Sequence, residues 1–466
     1  MKKNIFVFIV IMLLNMIVKS QPVNVSTYQK CFELALFWKE LSYNFANWNH
    51  EALNIDSLYL AYIPRVSETK NDFEYYLEMQ SFAAHFNNGH TFCSLPQNLF
   101  PHLCTTTLRT EFDNGKVYLK NVGLHNKGAN NVKVGDEILK INGLPAVEYF
   151  SRFGVPYVSC TNQENKIQES MFSIYNQCPN KYALVSENRT LTLDVLTDNG
   201  IRQLIVDFDI FLDPNEQQKE FQSNIQWLDT NSQSDKRFDF MLIPEEKAAY
   251  IRLDESNEKT ADLFLSHWPQ IANQKHLIID LRENPGGDGN AYSSIIPYLI
   301  IDDTIGYGWF GLGKIHNSAK KAWGMSKQLF YEEEDVDEWY KQNYYPYVYG
   351  TAFDTVMTPS YYPNTLPASE RFKGKISVLV GPHTASAAEG FVITLSQSHN
   401  VTLFGKKTAG ATGQPLVIPL KSGIYLFISS FKSLDLYGRD ISSGIEPDIH
   451  MDFDKDDVIK ITKKIP

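Results

Sequence analysis

The stretch KISVLVGPHTASAAEGFVITLSQ, Lys375 to Gln397, reads as an apolar strand that stops at Gly381-Pro382 and a helix that starts near Ser386. A serine at such a turn has its own and the next backbone N–H directed outward. A carbonyl attacked there would meet donors for the developing oxyanion. Ser386 is therefore the candidate nucleophile. The same residues also spell an ordinary helix start, with Thr384 or Ser386 as the cap and Glu389 completing a capping box.

Upstream, HLIIDLRENPGG from His276 to Gly287 reads as a buried strand ending in a glycine-rich turn. Consecutive glycines let the backbone approach a substrate closely and leave N–H groups to face a carbonyl oxygen. Two further motifs follow in order, GKKTAG from Gly405 and GIEPD from Gly444. With DLRENPGG from Asp280 and TASAAE from Thr384, they resemble the C-terminal-processing and tricorn-type serine peptidases (peptidase family S41). The resemblance covers roughly 248–451. It implies that Ser386 attacks a peptide bond and that the amides of Gly286, Gly287 and Ala387 form the oxyanion hole. It implies no metal and no cofactor.

A nucleophilic serine needs a neighbouring base. Processing peptidases carry a lysine in G-K-G after the G-x-x-T-x-G motif, but here the stretch is Gly410-Ala411-Thr412-Gly413. Lys406 and Lys407 lie where the family has charged residues that do not act as the base. The tricorn-type branch instead uses a histidine from an N-terminal segment, and Asn87-Asn88-Gly89-His90-Thr91 resembles its D-x-H-[ST] signature. His90 is thus the candidate base, with a side-chain pKa range that suits proton exchange near neutrality. His85, His383 and His399 fit the pattern less well. Asp440 and Glu446 are the two candidates for the group that orients the base.

The chain of 466 residues, 43% hydrophobic, is long enough for two or three domains. A formal charge of −11 argues against nucleic acid as a partner. Met1-Lys2-Lys3, the apolar run Ile5 to Val18 and Lys19-Ser20-Gln21 read as a signal peptide cut after Ser20. The mature chain is then expected to be periplasmic or secreted, with no stable membrane insertion. Export permits disulfides, and Cys93 with Cys104 or Cys160 with Cys178 are close enough in sequence to pair; with five cysteines, at least one lacks an intramolecular partner.

The expected organisation is a signal peptide (1–20), an N-terminal helical region (21–103), a PDZ-like domain (104–212) and a catalytic core (213–466). The PDZ resemblance rests on Gly135-Asp136-Glu137-Ile138-Leu139-Lys140-Ile141-Asn142-Gly143, and it implies either peptide capture at a sheet edge or a purely structural module. Strands and helices alternate through the core, which makes the fold α/β. The family resemblance narrows this to a crotonase-like (ClpP-like) core of repeated ββα units. An aromatic insertion at about 305–365 reads as a lid, a substrate-facing element or a packing elaboration. The implied substrate is an extended peptide or an unfolded protein tail. A non-catalytic peptide-binding protein and an esterase or acyltransferase on the same fold are the alternatives.

Overall fold

The structure is a computed structural model. It describes residues 25–47, 53–102, 106–123, 125–162, 165–172, 181–182, 189–208 and 238–451. The expected signal peptide, Cys104 and Cys178 lie outside these residues.

Three helices open the described chain: α1 (Thr27–Asn44), α2 (Ile55–Ser67) and α3 (Asp72–Ala84). Each starts on a side chain that accepts a main-chain N–H of the first turn, from Ser26, Asn54 and Asn71 respectively. Their apolar faces meet each other through Phe37, Tyr62 and Phe82, with Phe82 wholly buried. Leu420, Ile424, Leu426 and Ile428 from the far end of the chain belong to the same core.

The next unit is an antiparallel sheet of β1 (Arg109–Asp113), β2 (Lys116–Asn121), β3 (Glu137–Ile141), β4 (Thr190–Thr197) and β5 (Gly200–Asp207), in that spatial order. Helix α4 (Ala146–Phe153) lays Tyr149 and Phe150 on a core with Leu119, Ile141, Leu193 and Val206.

The large sheet takes β6 (Phe238–Ile243), β7 (Ala248–Leu253) and, after helix α5 (Glu258–Ile271), β8 (His276–Asp280), and the insertion follows β8. The insertion runs β9 (Thr304–Tyr307), β10 (Phe310–Lys314), α6 (Ser318–Phe330), α7 (Glu338–Tyr349), β11 (Phe353–Met357) and β12 (Ser360–Pro363). After it come β13 (Lys375–Val380), α8 (Ala387–Leu395), β14 (Val401–Gly405), β15 (Pro415–Pro419), β16 (Tyr425–Ser429), β17 (Phe431–Leu434) and β18 (Ile449–His450).

The large sheet has the order β18-β14-β13-β8-β7-β6 and is parallel except for β6 on β7. Its central strands are near-continuous apolar runs because both faces are covered. Ile279 and Val378 pack against α5 and α8, while Ile278 and Leu379 join Tyr250 and Phe404 on the other face. The neighbours β8 and β13 both deliver their turns at the carboxyl edge, where open α/β sheets carry their sites. The insertion is closed at its base by β9 on β12, Thr304 opposite Pro363. Strand β10 is sandwiched between β11 and β17, which ties the insertion to the C-terminal strands.

Because the N-terminal helices and β16 share one core, Phe82→Ala is expected to cost about 3–5 kcal/mol. In urea titration, probes in the helices and in the large sheet should report the same lowered midpoint.

Candidate active site

Strand β13 ends at Val380, and the chain turns through Gly381–Ala385 into α8. Leu281 N donates to Leu379 O, Thr384 Oγ1 to Leu281 O, and Ala385 N to Asn284 O. The two turns are therefore stitched to each other. Ser386 takes φ 55° and ψ −118°, in the left-handed half of backbone space that L-residues rarely occupy. Such a conformation costs on the order of 1–3 kcal/mol, and the surrounding bonds hold it. Ser386 is half-buried at the first turn of a helix whose other residues, Gly390 excepted, are buried.

The glycine turn faces this elbow. Gly286 has φ 101° and Gly287 φ 142°. A Cβ on Gly286 would lie 2.8 Å from Ser386 Cβ and 3.0 Å from Ala387 N, so only glycine leaves that space open. The wholly buried Asn284 fixes the turn. Its Oδ1 accepts Gly286 N–H at 2.9 Å, and its Nδ2 donates to Leu253 O and the Tyr292 hydroxyl. Ser256 N donates to Gly286 O, and Asp288 N to Ser256 O. Gly286 N–H, which the resemblance gives as an oxyanion amide, is bonded to Asn284 Oδ1 in this structure. Gly287 N–H and Ala387 N–H have no hydrogen-bond partner among the described residues.

Glu389 lies beneath the elbow, fully buried. Its Oε2 accepts Ser386 N–H at 3.1 Å, and its Oε1 accepts the Thr408 hydroxyl at 2.5 Å and Gly410 N–H at 2.9 Å. Thr408 Oγ1 in turn accepts Ile445 N–H at 2.7 Å. Burial raises the Glu389 pKa to about 7, against the opposing pull of these donors. One carboxylate thus holds the nucleophile turn to the GKKTAG loop, and Thr408 carries the tie on to GIEPD.

His90 arrives from the loop after α3. Its N–H donates to Asn88 Oδ1, and the Gly89 backbone packs on Ala411, where a Cβ would come within 2.8 Å of the Ala411 Cβ. His90 Nδ1 lies 2.6 Å from Gly413 O. A carbonyl oxygen only accepts, so Nδ1 carries the proton and the neutral ring presents a bare Nε2. Burial lowers the His90 pKa, partly offset by its bonds to the 412–413 main chain. Ser429 braces this loop, donating from N to Thr91 Oγ1 and from Oγ to Thr412 O.

Among the described residues, neither acidic candidate bonds to His90. Asp440 accepts Ser442 N–H, and Glu446 pairs with Lys407 at 3.0 Å and with His450. The partner of His90 Nδ1 is a main-chain carbonyl, which no side-chain pattern announces. Lys406 pairs with Asp113 at 3.0 Å, so both lysines near the loop are engaged with carboxylates. His85 meets the Tyr62 hydroxyl, and His399 lies 3.9 Å from Asp302. His383 is paired with Glu169 of the small-sheet unit at 3.2 Å. Burial acts to lower its pKa, but the Glu283 and Glu169 carboxylates win and raise it. Lys120 of β2 reaches Glu283 at 3.5 Å, so the small sheet touches the flanks of both catalytic turns.

The protein is a serine-type peptidase, and Ser386 lies at a strand-to-helix turn beside main-chain N–H groups that have no partner among the described residues. Residues 247–451 match the model for Peptidase family S41. No curated protein matches the sequence. Among solved structures, mature CPAF complexed with lactacystin aligns with a TM-score of 0.61 at 14% identity, over 94% of this chain and 97% of its own. Mature CPAF aligns with a TM-score of 0.58 at 15% identity, over 94% and 96%. At these identities the likeness is one of fold.

Two outcomes follow from the geometry. Ser386→Gly relieves the positive φ and should be about 1 kcal/mol more stable than Ser386→Ala in denaturant titration. Glu389→Gln has one acceptor for donors on both oxygens, so it strands one of them and should cost about 1–3 kcal/mol. The wild-type carboxyl keeps its proton in the fold between the ordinary 4.5 and about 7, where the unfolded chain has released it. Its contribution to stability is therefore full below 4.5 and is lost as pH rises to about 7. A urea series across that window should show the fall in the wild type and not in Glu389→Gln.

Proposed function

We propose that this enzyme cleaves extended peptides or unfolded protein tails through an acyl-enzyme on Ser386, with His90 as general base. The observation that carries the reading is the 2.6 Å bond from His90 Nδ1 to Gly413 O, because it fixes the tautomer a base requires. Ser386 Oγ attacks the scissile carbonyl carbon while its proton passes to His90 Nε2. The carbonyl oxygen becomes an oxyanion held by the Gly287 and Ala387 amides. Collapse breaks the C–N bond, and His90 gives its proton to the leaving amine. Water then attacks the ester, His90 takes a proton from it, and Ser386 Oγ recovers that proton as the acid leaves.

Asn284 and Glu389 act as positioning residues: one sets the glycine turn, the other joins the elbow to the loop that orients His90. The repeated parallel strands with α8 support the crotonase-like reading of 213–466. The helix-capped antiparallel sheet supports the PDZ-like reading of 104–212, and the helices at 27–84 support the N-terminal unit at 21–103. A leader at 1–20 would send the enzyme to the periplasm or the exterior. Among the described residues, no helix is long and apolar enough to cross a membrane.

A fluorophosphonate probe, read by the mass of the peptide carrying Ser386, tests this reading. Labelling should vanish in Ser386→Ala and slow by about 100-fold or more in His90→Ala. The rate should fall as the medium is acidified through the His90 pKa, which lies below 6.5. A folded wild type that stays unlabelled would favour a non-catalytic binding protein. Hydrolysis of short esters without peptides would favour the esterase.

A further inference from the structure

Gly390 lies one helical turn beyond Ser386, with its N–H bonded to Ser386 O at 3.1 Å. The two residues share a face of the helix. Every other residue of α8 is buried, so this face at Gly390 is where the helix approaches solvent beside the nucleophile. The Trp309 indole covers it. A Cβ on Gly390 would stand 2.6 Å from Trp309 Cζ3 and 3.5 Å from Cε3, so glycine is what lets the ring lie against the helix. Trp309 is only part-buried, yet its Nε1 is covered and has no hydrogen-bond partner. The polar edge of the ring is turned inward, and what remains accessible is carbon and main chain.

The ring is held from several sides. Gly306 in β9 exchanges two hydrogen bonds with the Gln397 side chain just past α8, at 2.6 and 2.8 Å. The Tyr307 hydroxyl donates to Gly289 O, two residues after the oxyanion turn. Gly308, at φ 90°, then reverses the chain into Trp309. Strand β9 is thus pinned to both the glycine turn and the end of the nucleophile helix.

In an acyl-enzyme the acyl residue is tethered to Ser386 Oγ. A residue one turn along the helix is about 6 Å away along the axis, within reach of that residue's side chain. We propose that Trp309 is the specificity-determining wall of the subsite for the acyl-side residue, and that it selects uncharged apolar side chains over cationic ones. This rests on Ser386 being the nucleophile. A carbon wall beside the tether gains from apolar contact and gives a buried ammonium no partner.

The test uses α-aminoalkyl diphenyl phosphonates, whose side chain stands for the acyl residue, with methyl, isobutyl, benzyl or aminobutyl groups. The readout is the second-order rate of Ser386 adduct formation by intact mass. In the wild type the isobutyl or benzyl compound should react at least about tenfold faster than the aminobutyl compound. That ratio should fall by about tenfold in Trp309→Ala and by less in Trp309→Phe. Gly390→Ala, which displaces the ring without altering it, should lower the ratio too. Should Trp309→Ala not fold, Trp309→Phe and Gly390→Ala decide the matter. Rates that fall together with the ratio unchanged, or a wild type that prefers the cationic compound, would overturn the inference and leave the nucleophile standing. A folded wild type that reacts with no phosphonate would overturn both.

Discussion

The Glu389 carboxylate is the constraint on which the site depends. Its two oxygens accept from Ser386, Thr408 and Gly410, residues that reach the site from the elbow and from the loop after β14. A buried polar group is costly unless it is hydrogen-bonded, and this one is met on both oxygens. Three donors on one carboxyl leave these segments little freedom to move apart. The loop that begins at Gly410 ends at Gly413, whose carbonyl sets the tautomer of His90. Ser386 and His90 are thus coupled through the main chain of four residues, although they come from opposite ends of the sequence.

Strain and preorganisation balance around that tie. Ser386 sits at a positive φ that any glycine would take without cost. The helix start, the Ala385–Asn284 bond and the carboxylate together compel it. The glycine turn opposite is held by Asn284 and Ser256 in the same way, so the open amides of Gly287 and Ala387 are fixed in place. The small sheet reaches both turns through Lys120 with Glu283 and Glu169 with His383, so its docking bears on the geometry of those turns.

How much of this was legible in the sequence depends on where each signal is stored. The parallel strands were legible because both faces are buried, which writes an unbroken apolar run such as Leu277–Ile279. Ser386 and the glycine turn were legible because tight turns demand particular residues. The partner of His90 Nδ1 was not, since a carbonyl is common to every residue; the glycine at 413 marks only a left-handed turn. Asn284 was hidden in plain view, because its bonds to Gly286 N–H, Leu253 O and the Tyr292 hydroxyl exist only in the folded turn. Glu389 was legible as a capping residue, but its reach to Thr408 and Gly410 is tertiary. The sharing of one core between α1–α3 and β16 is equally long-range, and local periodicity carries no record of it.

The most direct test of the account is a crystal structure of the phosphonylated enzyme. The account predicts phosphorus bonded to Ser386 Oγ, the phosphonyl oxygen within hydrogen-bond reach of the Gly287 and Ala387 amides, Gly286 N–H still on Asn284, and His90 Nε2 facing the adduct with Nδ1 on Gly413 O. An adduct whose oxygen is met by other donors, or whose His90 has turned away from Gly413, would contradict it.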